Sequence, residues 1–121
     1  MSDFDTVVKR YLTVWNETGA EARRAAIDEV FADGVRYVDP MAAVSGRAAL
    51  DALIGAVHQQ FPGLVFTAGG PVDGHHDQAR FTWHLGRPGE EALVVGFDVA
   101  ELGPDGRITQ VLGFLDRVPA T

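Results

Sequence analysis

Cysteine is absent from the sequence, which excludes disulfide bonds, thiolate catalysis and zinc bound through cysteine. Basic residues are also few and scattered: ten lysines and arginines stand against 17 acidic residues, and the formal net charge is -7. Binding to nucleic acid or to an anionic membrane surface needs a cluster of basic side chains. We therefore expect neither nucleic acid nor a membrane as a partner.

Long apolar runs are missing as well. No stretch approaches the roughly 20 residues that cross a bilayer, and the opening MSDFDTVVKR lacks the basic and then apolar order of a signal peptide. These absences predict a cytoplasmic protein. The 121 residues are 46% hydrophobic and 22% charged, which is typical of a single globular domain spanning residues 1–121.

Apolar residues recur at three- and four-residue steps in three segments, which predicts three amphipathic helices. The second should start at a capping box of Thr18 and Glu21 and stop at Asp33-Gly34. A short strand, residues 35–39, should separate the second helix from the third helix, and the third helix should end at Pro62-Gly63. The inner stripes of the first and third helices comprise Phe4, Val7, Val8, Tyr11, Leu12 and Trp15, and Leu50, Leu53, Ile54, Val57, His58 and Phe61, respectively.

The second half of the chain is rich in β-forming residues. Four such runs cover residues 64–72, 78–86, 91–102 and 107–118, and the turns between them read DGHHD, RPGE and GPDG. Helices followed by antiparallel strands indicate an α+β fold. At this size the sheet must curve around the helices to bury enough apolar area, and such curvature creates a pocket.

Asp98 does not fit its surroundings. It lies in the middle of a predicted strand, and both faces of that strand are otherwise apolar. A carboxylate there is costly unless it is hydrogen-bonded or keeps its proton. Asp98 is therefore a candidate for a functional site.

The order of these segments resembles the NTF2-like superfamily along essentially the whole chain. Within it the chain is similar to the SnoaL-like group and, at the chemical positions, to ketosteroid isomerase. The resemblance implies a cone of curved antiparallel sheet packed against three N-terminal helices that enclose a pocket. The motifs that carry it are RYLTVW (10–15), FADGVRYVDP (31–40), SGRAALDALI (45–54), FDVAELGPDGRI (97–108) and TQVLGFLD (109–116).

The same resemblance implies a catalytic set of three residues that needs no metal and no cofactor. Tyr11 falls on the oxyanion-hole tyrosine of the isomerase, Asp39 on its general base, and Asp98 on its protonated oxyanion donor. Ketosteroid isomerase is an established case of a carboxylic acid kept neutral by an apolar site. Substrate contacts are expected from Trp15, Phe31, Ile54, His58, Trp83 and Leu115.

Two positions depart from the isomerase pattern. Phe31 stands where a supporting tyrosine would be, and Leu115 where a pocket tryptophan would be. The departure at Phe31 implies that the hydrogen-bonded tyrosine network of that enzyme is missing, which argues against a steroid substrate.

Each candidate also has a purely structural interpretation. Asp39 precedes Pro40 and could simply cap a turn. Tyr11 could be a core tyrosine with a local partner, and Asp98 could be satisfied by a bulge or a subunit contact. His58 on an apolar stripe is more often packed than functional, and Trp83 should face the pocket while His84 faces outwards.

The roles of two further features remain open. Adjacent histidines in the segment His75-His76-Asp77 do not converge on a metal without other ligands, so we interpret the segment as a loop. Asp116 lies on the final predicted strand, where epoxide hydrolases of the superfamily carry an acid. The Arg-x-Asp pair that accompanies that acid does not occur here, so Asp116 is interpreted as an acid at the pocket rim.

Together these features predict a small enzyme that transfers protons next to a carbonyl group in an apolar pocket, as an isomerase or a polyketide cyclase. Its expected ligand is a small hydrophobic molecule that contains a carbonyl. The alternative is a binding or dimerisation module without catalysis, since the fold alone does not fix the function. The apolar outer face of the sheet suggests a homodimer.

Overall fold

A computed structural model describes residues 3–119, in which three helices and seven strands follow in the predicted α+β order. The helices are α1 (Phe4–Asn16), α2 (Ala20–Val30) and α3 (Arg47–Gln60). The strands are β1 (Phe31–Asp39), β2 (Ala42–Ser45), β3 (Val65–Ala68), β4 (Asp73–His75), β5 (Gln78–Gly86), β6 (Val94–Leu102) and β7 (Ile108–Arg117).

The strands form one curved sheet that does not close into a barrel. Their order is β2-β1-β7-β6-β5-β3, and β4 pairs with the remaining part of β5. Most neighbours are antiparallel, but β1 and β7 run parallel, so the sheet is mixed and the expectation of a purely antiparallel sheet is corrected. A parallel pair needs a long crossover connection, and here α3 and the strands β3 to β6 provide it.

The predicted bounds of α2 differ from the structure at both ends. Its N-cap is Gly19, which forms no side-chain cap, so the capping box of Thr18 and Glu21 is wrong. The helix ends at Val30, because Phe31 already pairs with Ile108 of β7. Sheet pairing therefore overrides the helical periodicity of this segment, and Asp33-Gly34 lies inside β1, in the stretch where its register against β7 shifts.

The core lies between the helices and one face of the sheet. Along β6 every second residue is buried, as the alternation predicts: Val94, Gly96, Asp98, Ala100 and Leu102. We call this the inner face. The inward stripe of α1 is confirmed too, with Tyr11 and Trp15 buried. Within residues 3–119, no helix is long and apolar enough to cross a membrane.

Candidate active site

Two carboxyl groups meet on the inner face above one glycine. Asp98 on β6 pairs with Gly113 on β7, and β7 lies beside β1, which carries Asp39. A Cβ atom placed on Gly113 would lie 2.7 Å from Asp98 Oδ1 and 3.3 Å from Asp39 Cβ. Three adjacent strands therefore bring together two acids that are distant in the sequence, and the missing side chain of Gly113 leaves room for both.

Tyr11 joins this group from the helical side. Its hydroxyl donates a hydrogen bond of 2.7 Å to Asp98 Oδ2. The Tyr11 ring packs edge-on against Phe31 and Phe81, with ring centroids 5.9 and 5.2 Å away. Tyr11 is 2% exposed and Asp98 1% exposed, so the bond is shielded from water. Hydrogen bonds gain strength in such low-dielectric surroundings.

Burial dominates the electrostatics of Asp98. It raises the pKa of this carboxyl from 3.8 to about 6, against the lowering effects of hydrogen bonds from Tyr11 and Trp83, while the nearby Asp39 raises it further. Near neutral pH the group can therefore exist with or without its proton. Burial and the charge of Asp98 raise the pKa of Tyr11 well above its ordinary value, so Tyr11 remains a neutral donor.

Asp39 is held by three hydrogen bonds. Its Oδ1 accepts from the backbone N–H groups of Met41 and Ala42, both at 2.8 Å, and its Oδ2 accepts from the Tyr37 hydroxyl at 2.6 Å. The turn-capping interpretation of Asp39 is therefore correct for Oδ1. The same contacts fix the carboxyl group beside Gly113, so capping and a chemical role are compatible.

Tyr37 is a site residue that the sequence analysis missed. It is buried, and burial together with the charges of Asp98 and Asp39 raises the pKa of its hydroxyl. Phe31 indeed supplies no hydroxyl, but Tyr37 brings one from β1. Tyr37 donates to Asp39 and Tyr11 donates to Asp98, so the two hydroxyl groups serve separate acids and do not form the tyrosine network of the isomerase. Period-two alternation already places Tyr37 and Asp39 on one strand face, and that signal could have identified it.

Aromatic rings close the site on one side. Trp15 packs between Tyr37 and Phe66, with centroid distances of 5.5 and 5.4 Å, and Phe66 contacts Trp83 at 5.3 Å. Trp83 covers Gly96, where a Cβ atom would overlap its ring. As expected, Trp83 faces inwards, since it is buried while its neighbour His84 is not. Phe66 was not among the predicted lining residues.

The other expected contact residues lie around this centre. His58 Nε2 bonds to the Trp15 carbonyl oxygen at 2.5 Å and thereby ties α3 to the end of α1. Phe31 and Ile54 are fully buried, and Leu115 packs partly buried against the core. Contact with a substrate remains a prediction for all of them.

Three features lie away from the carboxyl pair. His75 ends β4 and pairs with Gln78, so only His76 and Asp77 form the hairpin turn, in which His76 has a φ of 54°. Residues 3–119 contain no cluster of three or more potential metal ligands. Asp116 is exposed near the end of β7. A cavity of about 380 Å³ lies at α1 and α2, lined by Arg10, Thr13, Val14, Ala26, Glu29, Val30 and Arg107.

Comparison with known proteins identifies the family. A model of the SnoaL-like domain matches residues 8–111, so the chain belongs to the SnoaL-like family within the NTF2-like fold. No match was found among curated proteins.

Solved structures agree with this assignment. A protein from Agrobacterium tumefaciens, provisionally described as an isomerase of the SnoaL-like family, is 40% identical over 92% of this chain and 95% of its own, with a TM-score of 0.87. A protein from Jannaschia, provisionally described as a SnoaL-like polyketide cyclase, is 19% identical over 96% and 90%, with a TM-score of 0.70. The second likeness concerns the fold alone.

Proposed function

We propose that the protein catalyses proton transfer next to a carbonyl group of a small hydrophobic molecule, as an isomerase or a cyclase. The observation that carries the proposal is the pair of carboxyl groups above Gly113, one with a raised pKa and a tyrosine donor, the other fixed by three hydrogen bonds. Two acids in different environments are the usual arrangement for divided acid and base roles. The relative from Agrobacterium supports the isomerase assignment by its description.

In the proposed reaction Asp39 is the base. Each carboxylate oxygen can accept two hydrogen bonds, so Oδ2 keeps a free lone pair beside the bond from Tyr37. Asp39 removes a proton from the carbon next to the carbonyl, and the electron pair moves onto the carbonyl oxygen. Tyr11 and protonated Asp98 donate hydrogen bonds to that oxygen and stabilise the enolate.

The two candidate reactions differ only after the enolate has formed. In an isomerase, Asp39 returns the proton to another carbon of the conjugated system. In a cyclase, the enolate carbon attacks a second carbonyl of the same molecule, and the new alkoxide takes the proton. Both use the same three residues, so the site accommodates either.

In the proposed reaction the substrate approaches from the side of Asp39. Tyr11 and Asp98 are buried, whereas Asp39 is half-buried at the turn between β1 and β2. A substrate that enters there meets the base first and the two donors behind it. Tyr11 must then turn its hydrogen bond from Asp98 to the substrate oxygen.

Exchange of deuterium from solvent into a panel of cyclic enones and β-diketones tests the proposal. Asp39→Asn keeps the shape and removes the base, so we expect exchange to fall by roughly 10²–10⁴-fold. Asp116→Asn, which alters an exposed acid outside the carboxyl pair, is the matched control and should exchange like the wild type. The alternative of a non-catalytic binding module would be favoured if the wild type catalysed no deuterium exchange on any probe. It would also be favoured if Asp39→Asn exchanged as fast as the wild type.

We also propose that a second copy of the chain is the partner. On the outer face of the sheet Phe97 and Phe114 stand opposite each other on β6 and β7, and Phe114 is 58% exposed. Val99 and Leu112 continue this apolar strip in the next positions of the register. Exposed contiguous apolar surface favours association, and a dimer through this face leaves the inner site unaltered.

A further inference from the structure

The two carboxyl groups of the site have unequal surroundings. Asp39 is half-buried and accepts three hydrogen bonds, two from the backbone of the turn and one from the Tyr37 hydroxyl. Asp98 is 1% exposed and accepts hydrogen bonds from Tyr11 and, more weakly, from Trp83. Hydrogen bonds to a carboxylate favour its charged form, and burial disfavours that form. The negative charge of the pair therefore belongs on Asp39 and the proton on Asp98.

No basic side chain within residues 3–119 helps to hold that charge. Asp39 takes part in no ion pair there. The charges that act on Asp98 and on Tyr37 are those of carboxyl groups. From the neighbouring strands Asp39 is faced by Gly113 on β7 and Ala42 on β2, which carry no charge. Neutral hydrogen-bond donors therefore decide which of the two acids is charged.

Tyr37 lies near both acids. Its hydroxyl donates to Asp39 Oδ2 at 2.6 Å, and the charge of Asp98 also reaches it, since that charge raises the pKa of Tyr37. A phenol hydroxyl has a single proton to donate, and Asp39 receives it. The bond therefore favours a charge on Asp39 and gives no support to a charge on Asp98.

The ring of Tyr37 is fixed in this orientation. It is 3% exposed, and Trp15 packs against it with ring centroids 5.5 Å apart. Tyr37 and Asp39 are two positions apart on β1, so their side chains lie on the same face of the strand. The other buried residues of β1, Phe31 and Val35, are apolar, so phenylalanine would serve packing equally well. What the Tyr37 hydroxyl adds is the bond to Asp39.

We propose that Tyr37 is a positioning residue that keeps the negative charge of the pair on Asp39, so that Asp39 acts as the base and Asp98 as the donor. The inference rests on the proposed function, which assigns these two roles but does not explain what prevents their exchange. Carboxyl groups that interact strongly titrate as a pair. Without the bond from Tyr37 the proton would be shared more evenly, and fewer molecules would hold a charged base and a protonated donor together.

The rate of deuterium exchange as a function of pH separates this role from packing. In the wild type, kcat/KM should rise as Asp39 loses its proton and decline above pH of about 6 as Asp98 does. Tyr37→Phe should move the rising limb upwards by about one to two pH units, the effect of losing a hydrogen bond to a charged acceptor. The decline should stay in place, so the active pH range should narrow and its maximum should fall.

Phe66→Leu is the control, since it removes aromatic volume from the other side of Trp15 and leaves the Tyr37 hydroxyl in place. Any loss of rate in this variant should be equal at every pH. If Tyr37→Phe also lowered the rate equally at every pH and left the rising limb unmoved, Tyr37 would only pack and the proposal would be overturned.

Carboxyl-carbon NMR of the free protein tests the same point without a substrate. The Asp39 signal, assigned with Asp39→Asn, should titrate about one to two pH units higher in Tyr37→Phe than in the wild type. An unchanged midpoint would overturn the role of Tyr37, even in a protein that exchanges deuterium. A protein that shows the shift but exchanges no deuterium keeps the role of Tyr37 in placing the charge and loses the proposed reaction.

A third measurement needs no substitution of Tyr37. The chain contains two tyrosines, so the phenol-carbon NMR signals of tyrosine-labelled wild type can be assigned with Tyr11→Phe. The Tyr37 signal should follow the titration of Asp39, because the acceptor of its bond gains a proton there. The Tyr11 signal should follow the titration of Asp98 near pH 6. A Tyr37 signal that moved only with Asp98 would mean that its hydroxyl serves the other acid, contrary to the proposal.

Discussion

Tyr11 and Asp98 are 87 positions apart in the chain, yet the Tyr11 hydroxyl donates a hydrogen bond of 2.7 Å to the Asp98 carboxyl group in the buried core. The bond joins the first helix to the middle of β6 at the point where Asp39 also approaches. The proposed catalytic role depends on the ionisation of Asp98, because Asp98 can donate a hydrogen bond only while it keeps its proton.

Stability should depend on pH through Asp98. Its folded-state pKa is raised from 3.8 to about 6, so the neutral form of Asp98 stabilises the folded state. This stabilisation is complete below pH 3.8 and is lost as pH rises through about 6. The loss should be on the order of 3 kcal/mol, since each pKa unit corresponds to about 1.4 kcal/mol. Asp98→Asn cannot titrate. Urea unfolding across this pH range should show that the unfolding free energy of the wild type falls relative to that of the variant as pH rises. A constant difference between the two would refute the raised pKa of Asp98.

Activity should fall at higher pH for the same reason. Protonated Asp98 donates to the enolate, so kcat/KM for exchange in the free enzyme should decline above pH of about 6. Asp98→Asn retains a hydrogen-bond donor that does not titrate. Its exchange rate should be lower than that of the wild type and should not decline in this pH region. A wild-type profile that rises through this region would mean that ionised Asp98 is the active form.

Gly113→Ala should disturb both carboxyl groups. The added methyl would lie 2.7 Å from Asp98 Oδ1 and 3.3 Å from Asp39 Cβ, so the Asp98 carboxyl group must shift from its present position. We expect a loss of about 1–3 kcal/mol in unfolding free energy, as in other overpacked cores, together with a large loss of exchange activity. Gly70→Ala has open space around it and is the control. If Gly113→Ala kept its exchange activity, the close approach of Asp39 and Asp98 above this glycine would be unimportant for the reaction.

Phe114→Lys should convert the proposed dimer into a monomer. A charge in the centre of the apolar strip on β6 and β7 opposes association, while the inner site lies on the other face. Val118→Lys is a matched control, because Val118 is also 58% exposed but lies beyond the end of β7. Sedimentation velocity should give a dimer for the wild type and Val118→Lys. A wild-type monomer would refute the dimer.

The sequence was sufficient to predict local features. Helical periodicity placed Tyr11 on the inner side of α1, and strand alternation placed Asp98 on the inner face of β6. Both signals are local, because the side-chain direction repeats with the backbone. The order of helices and strands followed from the same patterns, and the family from the resemblance of the motifs to NTF2-like proteins.

Non-local relations could not be predicted in this way. The parallel pairing of β1 with β7 depends on which strands meet after collapse, and no local pattern encodes it. Without that pairing nothing shows that Asp39 lies beside Gly113. The early end of α2 has the same origin, because Phe31 is drawn into the sheet by its partner on β7.

The carboxyl-carbon NMR titration of Asp98 tests the central claim most directly, because both the donor role and the pH effects depend on its proton. Selective labelling of aspartate, with Asp98→Asn to assign the signal, would give the midpoint. We predict a midpoint near pH 6, well above the ordinary value of 3.8. A midpoint at or below 3.8 would mean that Asp98 is a charged acceptor for Tyr11 throughout the working range, and the proposed stabilisation of an enolate by this pair would then be untenable.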